Sequence, residues 1–95
     1  AARVVVGKDD PAAEPVDIEL SGVTGGAYVS RRHAEIYRDR GLWYVRDLGS
    51  TNGVFIRKKG AAAFSPRLQE PSPLDDGDMV AFGNVCCLFR VGGTA

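Results

Sequence analysis

The chain has 95 residues, 44% hydrophobic and 25% charged, a composition ordinary for one globular domain. Its 12 lysines and arginines balance 12 acidic residues, whereas a nucleic-acid-binding domain normally carries a basic excess. No apolar run approaches the roughly 20 residues needed to cross a bilayer. We therefore expect neither nucleic acid nor membrane as a partner.

The apolar residues come in short pieces rich in β-branched and aromatic side chains, separated by turn-forming residues. Several short strands of this kind are typical of an all-β sandwich or barrel. In the piece that begins at His33, Ala34 and Ile36 share the face expected to be buried. The predicted strands are RVVV (3–6), VDIEL (16–20), HAEIYR (33–38), LWYVRDL (42–48), GVFI (53–56), MVAFG (79–83) and VCCLFRV (85–91).

Between the strands, glycine and proline mark the connections. The Asp39-Arg40-Gly41 stretch predicts a hairpin turn, with Gly41 free to adopt a positive φ, and LDDGD (74–78) predicts a second turn. Residues 60–73 contain three prolines and no clear period, which indicates a long surface loop with at most one short extended piece. We expect one domain over 1–95, cut from a larger protein, with a flexible tail at 92–95.

The two cysteines, Cys86 and Cys87, are adjacent and form no C-x-x-C pair. Their spacing indicates neither a disulfide framework nor a zinc site. Neighbours in a strand point to opposite faces, so these two thiols should not bridge. We expect no metal and no cofactor, and a reducing cytoplasmic location.

Two polar loops stand out, VSRRHA (29–34) and GSTNG (49–53). Ser30 and His33 could form a nucleophile and its base, which requires the imidazole within hydrogen-bond reach of the hydroxyl. However, the chain lacks a G-x-S-x-G elbow and is very small for a hydrolase. A buried His33 that bonds the loop backbone is the simpler interpretation. The phosphate-binding loops of nucleotide enzymes are also absent from the sequence.

The same loops could instead bind a phosphate, which needs several converging donors, preferably with a guanidinium. Ser30 and Thr51 offer hydroxyls, Arg31 a guanidinium, and Asn52 an amide. Taken singly, each residue fits ordinary turn chemistry or a solvated surface. Both motifs together favour a site for an anion.

The stretches VSRRHAEI (29–36) and WYVRDLGSTNGVFI (43–56) closely resemble the signature of the forkhead-associated (FHA) domain. Further matches follow in the family's order: Gly7-Lys8, DIEL (17–20), LDDGDMVAFG (74–83) and CLFRV (87–91). The resemblance spans about residues 4 to 91, nearly the whole chain.

The resemblance implies a sandwich of two twisted, mainly antiparallel sheets of the SMAD/FHA type, with binding loops at one end. It also implies a phosphothreonine-binding module without catalytic activity, which docks its host protein to partners phosphorylated by Ser/Thr kinases. A phosphate-independent interaction module of the same fold is the alternative. The phosphopeptide-binding positions implied by the match are Lys8, Ser30, Arg31, Thr51 and Asn52, and the supporting positions are Gly7 at a tight bend, His33 bracing a loop, and Gly53 in a strained turn.

The sequence departs from the family pattern in three places. Lys8 stands where the family has an arginine, which keeps the charge but loses the bidentate fork. The loops around 8–16 and 21–28 are longer than expected. Only six residues precede Gly7, where the family usually has two strands. Either the chain is an excised fragment or the sandwich is completed differently, and an unpaired sheet edge would invite dimerisation or aggregation.

Overall fold

We analysed a computed structural model of the chain, which describes residues 3–8 and 16–92. Within these ranges the regular secondary structure consists of eight β-strands and one short 3₁₀ helix, Gly26–Tyr28. No helix in this part of the chain is long and apolar enough to span a membrane. The strands are β1 (Arg3–Gly7), β2 (Ile18–Glu19), β3 (Ala34–Asp39), β4 (Leu42–Asp47), β5 (Val54–Arg57), β6 (Ser72–Leu74), β7 (Met79–Phe82) and β8 (Val85–Leu88).

The strands form two sheets, one of five strands in the order β2-β1-β3-β4-β6 and one of three in the order β5-β7-β8. Every pair is antiparallel except β1 and β2, which run parallel. The predicted all-β sandwich of mainly antiparallel sheets is therefore confirmed.

The core lies between the two sheets and is built from alternate residues of the strands, because successive side chains of a strand point to opposite faces. As expected, Ala34 is fully buried and Ile36 packs against the same cluster. Branched side chains with few rotamers dominate the cluster, which suits close packing. Its buried members include Val6, Val45, Val54, Ile56, Val80 and Phe82.

The hairpin between β3 and β4 decides where the two polar loops lie. Its turn consists of Arg40 and Gly41, with φ values of 52° and 80°, and positive φ at both positions is what a two-residue type I′ turn requires. The turn pairs Asp39 with Leu42, and the ladder continues until Ala34 faces Asp47. The loops that precede Ala34 and follow Asp47 are therefore neighbours in space.

Two predicted strands are each three residues shorter in the structure. In the stretch predicted as a strand over 16–20, the Asp17 carboxylate accepts a hydrogen bond from Val5 N at 2.8 Å, ahead of the two-residue β2. Beyond β8, the Phe89 backbone still bonds the two residues that precede β7: its N–H donates to Asp78 O at 2.7 Å and its carbonyl accepts from Gly77 N at 2.8 Å.

The segment predicted as a loop at 60–73 runs into β6, which pairs with β4. The turn predicted at 74–78 is present, with Gly77 at φ 93°. Of the tail predicted at 92–95, only Gly92 lies within the described residues, and most of the long loop predicted at 8–16 also lies outside them.

Candidate functional site

A polar groove of about 410 Å³ lies between the two loops that the β3–β4 hairpin brings together. Two cations line it, Lys8 directly after β1 and Arg31 in the loop 29–34, and none of its lining residues within 3–8 and 16–92 is a carboxylate. The positive charge of its lining residues favours an anion as ligand. The groove is lined by Lys8, Ala27, Tyr28, Val29, Ser30, Arg31, Thr51 and Asn52.

Two hydrogen bonds tie the loops to each other across the groove. Thr51 N donates to Ser30 Oγ at 3.1 Å, and Asn52 Nδ2 donates to the Tyr28 carbonyl at 2.8 Å. A serine hydroxyl has two acceptor positions and one proton, so the bond from Thr51 leaves the Ser30 proton available for donation. The loops thus present a hydroxyl donor at their junction.

His33 is fully buried directly beneath this junction. Its Nδ1 accepts a hydrogen bond from Ser30 N at 3.0 Å, and its Nε2 donates to the Gly53 carbonyl at 2.7 Å. The edge of the Phe82 ring packs against it, with centroids 5.9 Å apart. Because both ring nitrogens bind backbone groups, neither contacts the Ser30 hydroxyl, and the nucleophile–base arrangement is not formed.

Gly53 connects the second loop to the core. It has a φ of 88°, its N–H donates to Ser50 Oγ at 3.0 Å, and its carbonyl also accepts from Gly83 N at 2.9 Å. A Cβ at this position would lie 2.9 Å from Arg67 Nε. The left-handed backbone is what favours glycine here.

Gly7 was expected at a tight bend, but the structure shows that it supports the first loop from within a strand. It is the last residue of β1, paired with Glu19, and its backbone does not turn. The loop backbone lies directly on it, since a Cβ would come within 2.0 Å of the Arg31 carbonyl. Next to it, Lys8 N donates to the Ser30 carbonyl at 3.1 Å, so the absence of a side chain lets the loop dock against β1.

Two residues that support the second loop, Asp47 and Ser50, were not identified by the sequence analysis. Asp47 accepts hydrogen bonds from Ser50 N at 2.6 Å and from Ser50 Oγ at 2.9 Å, so it fixes the start of the turn. An aspartate three residues before a serine in a glycine-containing turn is a local signal that could have indicated this.

A third missed residue, Arg67, reaches the second loop from the proline-containing segment. Its Nη2 donates to the Ser50 carbonyl at 2.5 Å and lies 3.8 Å from an Asp47 carboxylate oxygen. No local pattern marks Arg67, because its partners are 16 to 17 residues away along the chain.

The structure thus brings the predicted site residues together. All five predicted binding residues line the groove, and the three predicted supporting residues contact the loop backbones beneath it. Their roles in binding stay predictions. Arg32, which follows Arg31 in the sequence, is not part of the lining.

Fold and groove together define a small β-sandwich module with an anion-attracting site on its loops. The family model of the FHA domain matches residues 4–83. The chain therefore belongs to the FHA domain family, as the sequence motifs indicated.

The chain is similar to several known proteins. It is 34% identical over 55 residues to a probable E3 ubiquitin-protein ligase, dma1, of Schizosaccharomyces pombe, a match that covers 58% of this chain and 20% of the ligase. It is 39% identical over 79 residues to the oxoglutarate dehydrogenase inhibitor of Corynebacterium diphtheriae, which covers 83% of this chain and 47% of the inhibitor. The chain thus spans less than half the length of each of these two relatives.

Among solved structures, the chain resembles EmbR of Mycobacterium tuberculosis in complex with a low-affinity phosphopeptide. The TM-score is 0.73 at 26% sequence identity, and the match covers 100% of this chain and 21% of EmbR.

Proposed function

We propose that this chain is a phosphothreonine-peptide-binding module that docks its host protein to partners phosphorylated by Ser/Thr kinases. The observation that carries the proposal is the groove in which two hydroxyls and two cations converge, from Ser30, Thr51, Lys8 and Arg31. Membership of the FHA family and the similarity to a phosphopeptide complex of EmbR support it.

The phosphate dianion would be bound by charge-assisted hydrogen bonds, which are shorter and stronger than neutral ones. The Ser30 hydroxyl donates its remaining proton, and Arg31 offers its guanidinium fork. Lys8 adds a compact positive charge in place of the family's arginine, without bidentate geometry. We expect an affinity on the order of micromolar, roughly 8 kcal/mol, since few charges act on an open groove.

The peptide backbone would be held by Asn52. Its Nδ2 is already fixed by the Tyr28 carbonyl at 2.8 Å, which orients the amide before any ligand arrives. An amide carries both donors and an acceptor, so its remaining groups can bind a peptide main chain. Holding the side chain in advance lowers the ordering cost of binding.

The proposal assigns this chain a binding role and no catalytic step, because both nitrogens of its single histidine are occupied by backbone groups. It does not extend to the host protein, since a relative such as dma1 is a probable ligase. We further propose a cytoplasmic location, where the free thiols of Cys86 and Cys87 would stay reduced.

The test is a calorimetric titration of the chain with a phosphothreonine peptide library and its unphosphorylated twin. Ser30→Ala and Arg31→Ala should each abolish binding and leave the circular dichroism spectrum unchanged. Arg38→Ala is the matched control, because Arg38 is an exposed cation on β3 that does not line the groove.

Wild-type affinity in both groove variants would refute the site. Equal binding of the two peptide forms would instead favour the phosphate-independent interaction module, the alternative suggested by the lysine at position 8.

A further inference from the structure

Arg67 contacts the second loop with both its guanidinium and its aliphatic stem. Its Nη2 donates to the Ser50 carbonyl at 2.5 Å and its Nη1 to the Thr51 carbonyl at 3.4 Å. Its aliphatic stem covers the Gly53 backbone, where a Cβ would lie 3.0 Å from the stem carbons. A side chain of the proline-containing segment thus clamps consecutive carbonyls of the candidate site.

These carbonyls belong to the same peptide groups as the N–H groups of Thr51 and Asn52, two residues that line the groove. A peptide group is planar and trans, so its C=O and N–H point in opposite directions. With the Ser50 carbonyl held by Arg67, the N–H of Thr51 points the other way, where it donates to Ser30 Oγ at 3.1 Å. With the Thr51 carbonyl also facing Arg67, the N–H of Asn52 points away from the guanidinium.

The charge of Arg67 acts on the same loop. Its Nη2 lies 3.8 Å from an oxygen of Asp47, the carboxylate that fixes the Ser50 turn. An unbalanced carboxylate so close to the loop would disfavour a phosphate dianion, and the guanidinium offsets that negative charge.

We propose that Arg67 is a positioning residue for phosphothreonine-peptide binding: it orients the backbone donors of the second loop and neutralises Asp47, without itself touching the ligand. The inference rests on the proposed function. It makes the segment between β5 and β6 part of the binding device, although that segment contributes no residue to the groove lining.

The experiment measures two quantities in wild type, Arg67→Ala, Arg67→Gln and Arg67→Lys, well below their melting temperatures. The first is the Kd for a phosphothreonine peptide, and the second is the hydrogen-exchange rate of the Thr51 amide without ligand. Arg57→Ala is the matched control, because Arg57 is a cation at the end of β5 whose guanidinium lies over the Phe64 ring, 5.6 Å from its centroid, instead of on the loop.

For Arg67→Ala we expect a Kd about tenfold higher, the scale of one hydrogen-bonded contact to a charged group, and faster exchange at Thr51. Arg67→Lys should recover part of the affinity, because one ammonium cannot hold two carbonyls in the geometry of a guanidinium fork. Arg67→Gln should fall near the alanine variant, and Arg57→Ala should match wild type.

Four results would overturn the inference. A lower melting temperature with an unchanged Kd would show a purely structural role. Full rescue by lysine, or a loss of affinity that disappears at high salt, would show long-range attraction instead of positioning. Unchanged hydrogen exchange at Thr51 in the Arg67 variants would contradict the positioning role, whether or not any variant binds the peptide. If wild type fails to bind the peptide but Thr51 exchange is still faster in the Arg67 variants, that result would count against the proposed function alone.

Discussion

Two concave surfaces of this domain differ in almost every respect except size. The groove between the loops measures about 410 Å³ and is lined by hydroxyls, an amide and two cations. The second surface, a cleft of about 300 Å³ between the two sheets, is lined mainly by apolar side chains. Its lining includes Val4, Ile18, Ile36, Trp43, Leu88 and Val91.

The two surfaces also differ in how they are held. The groove is fixed by hydrogen bonds between residues 21 to 24 positions apart, whereas the cleft is bordered by side chains that stay exposed, with Ile18 at 42% and Leu88 at 52%. An apolar cleft gains free energy when covered but orients nothing, while fixed donors select a ligand by charge and geometry. Volume alone therefore does not identify the functional surface, and converging donors do.

The largest effect on stability should come from the histidine beneath the groove. His33→Ala removes a fully buried ring, its two backbone hydrogen bonds and its contact with Phe82, which together should cost about 3 kcal/mol of unfolding free energy. For a domain of this size that corresponds to a melting temperature roughly 10–20 °C lower, measurable by circular dichroism.

Phosphopeptide binding should weaken together with stability, because His33 links the first loop to Gly53 of the second. If the melting temperature did not change, the ring would not be structural and the groove would owe its shape to other contacts.

A smaller effect is expected from Asp78, which lies outside the lining of both surfaces and is 1% exposed. Its carboxylate accepts hydrogen bonds from the Lys58 ammonium, from Lys59 N at 2.8 Å and from Asp75 N at 2.8 Å. Asp78→Asn should cost about 2 kcal/mol at neutral pH in urea unfolding, because an amide cannot satisfy all three donors. The Kd for the phosphopeptide should not change.

The Asp78 contribution should also depend on pH. Burial alone would raise the pKa of Asp78, but the hydrogen bonds from Lys58, Asp75 N and Lys59 N outweigh it and hold the pKa below the ordinary 3.8. A lowered folded-state pKa stabilises the fold above pH 3.8, and that stability is lost as the pH falls further.

Urea midpoints of wild type and Asp78→Asn should therefore converge below pH 3.8 and stay apart between pH 5 and 7. A gap that widened on acidification would contradict the hydrogen-bonded carboxylate.

The parts of the fold that the sequence predicts are those decided by local chemistry. Strand periodicity and the Arg40-Gly41 turn indicate the β3–β4 hairpin, and the hairpin register places the two loops side by side. The site residues themselves came from the resemblance to the FHA family, since Ser30 or Thr51 alone fits an ordinary turn equally well. The proximity of the two loops in the structure is what distinguishes a binding site from two ordinary turns.

The contacts that the sequence did not predict join residues that are far apart along the chain. Arg67 acts through carbonyls more than 15 residues away, and the Phe89 backbone bonds Gly77 and Asp78 ahead of β7. Glu35 is 3% exposed although a lone glutamate in a strand indicates solvent, because Arg3 of β1 and Arg46 of β4 flank it in the sheet. Periodicity cannot reveal such pairs, since they arise from register between strands.

The smallest effect on stability should come from a substitution in the apolar cleft, the second of the two surfaces compared above. Within the described residues, β8 forms the edge of the three-stranded sheet, and its exposed Leu88 borders the cleft. Open apolar edges favour pairing with other chains, which a lysine opposes. Leu88→Lys should reduce concentration-dependent association in sedimentation experiments and change the unfolding free energy by no more than about 0.5 kcal/mol.

Leu42→Lys is the matched control, because Leu42 is 58% exposed but lies on β4, which is paired on both sides. That variant should associate as wild type does, and both should keep wild-type affinity for the phosphopeptide, since neither residue lines the groove. Equal self-association of Leu88→Lys and Leu42→Lys would show that general surface polarity, not the β8 edge, controls self-association. Weaker peptide binding in Leu88→Lys would show that the cleft and the groove are coupled, and the two surfaces could then no longer be treated as independent.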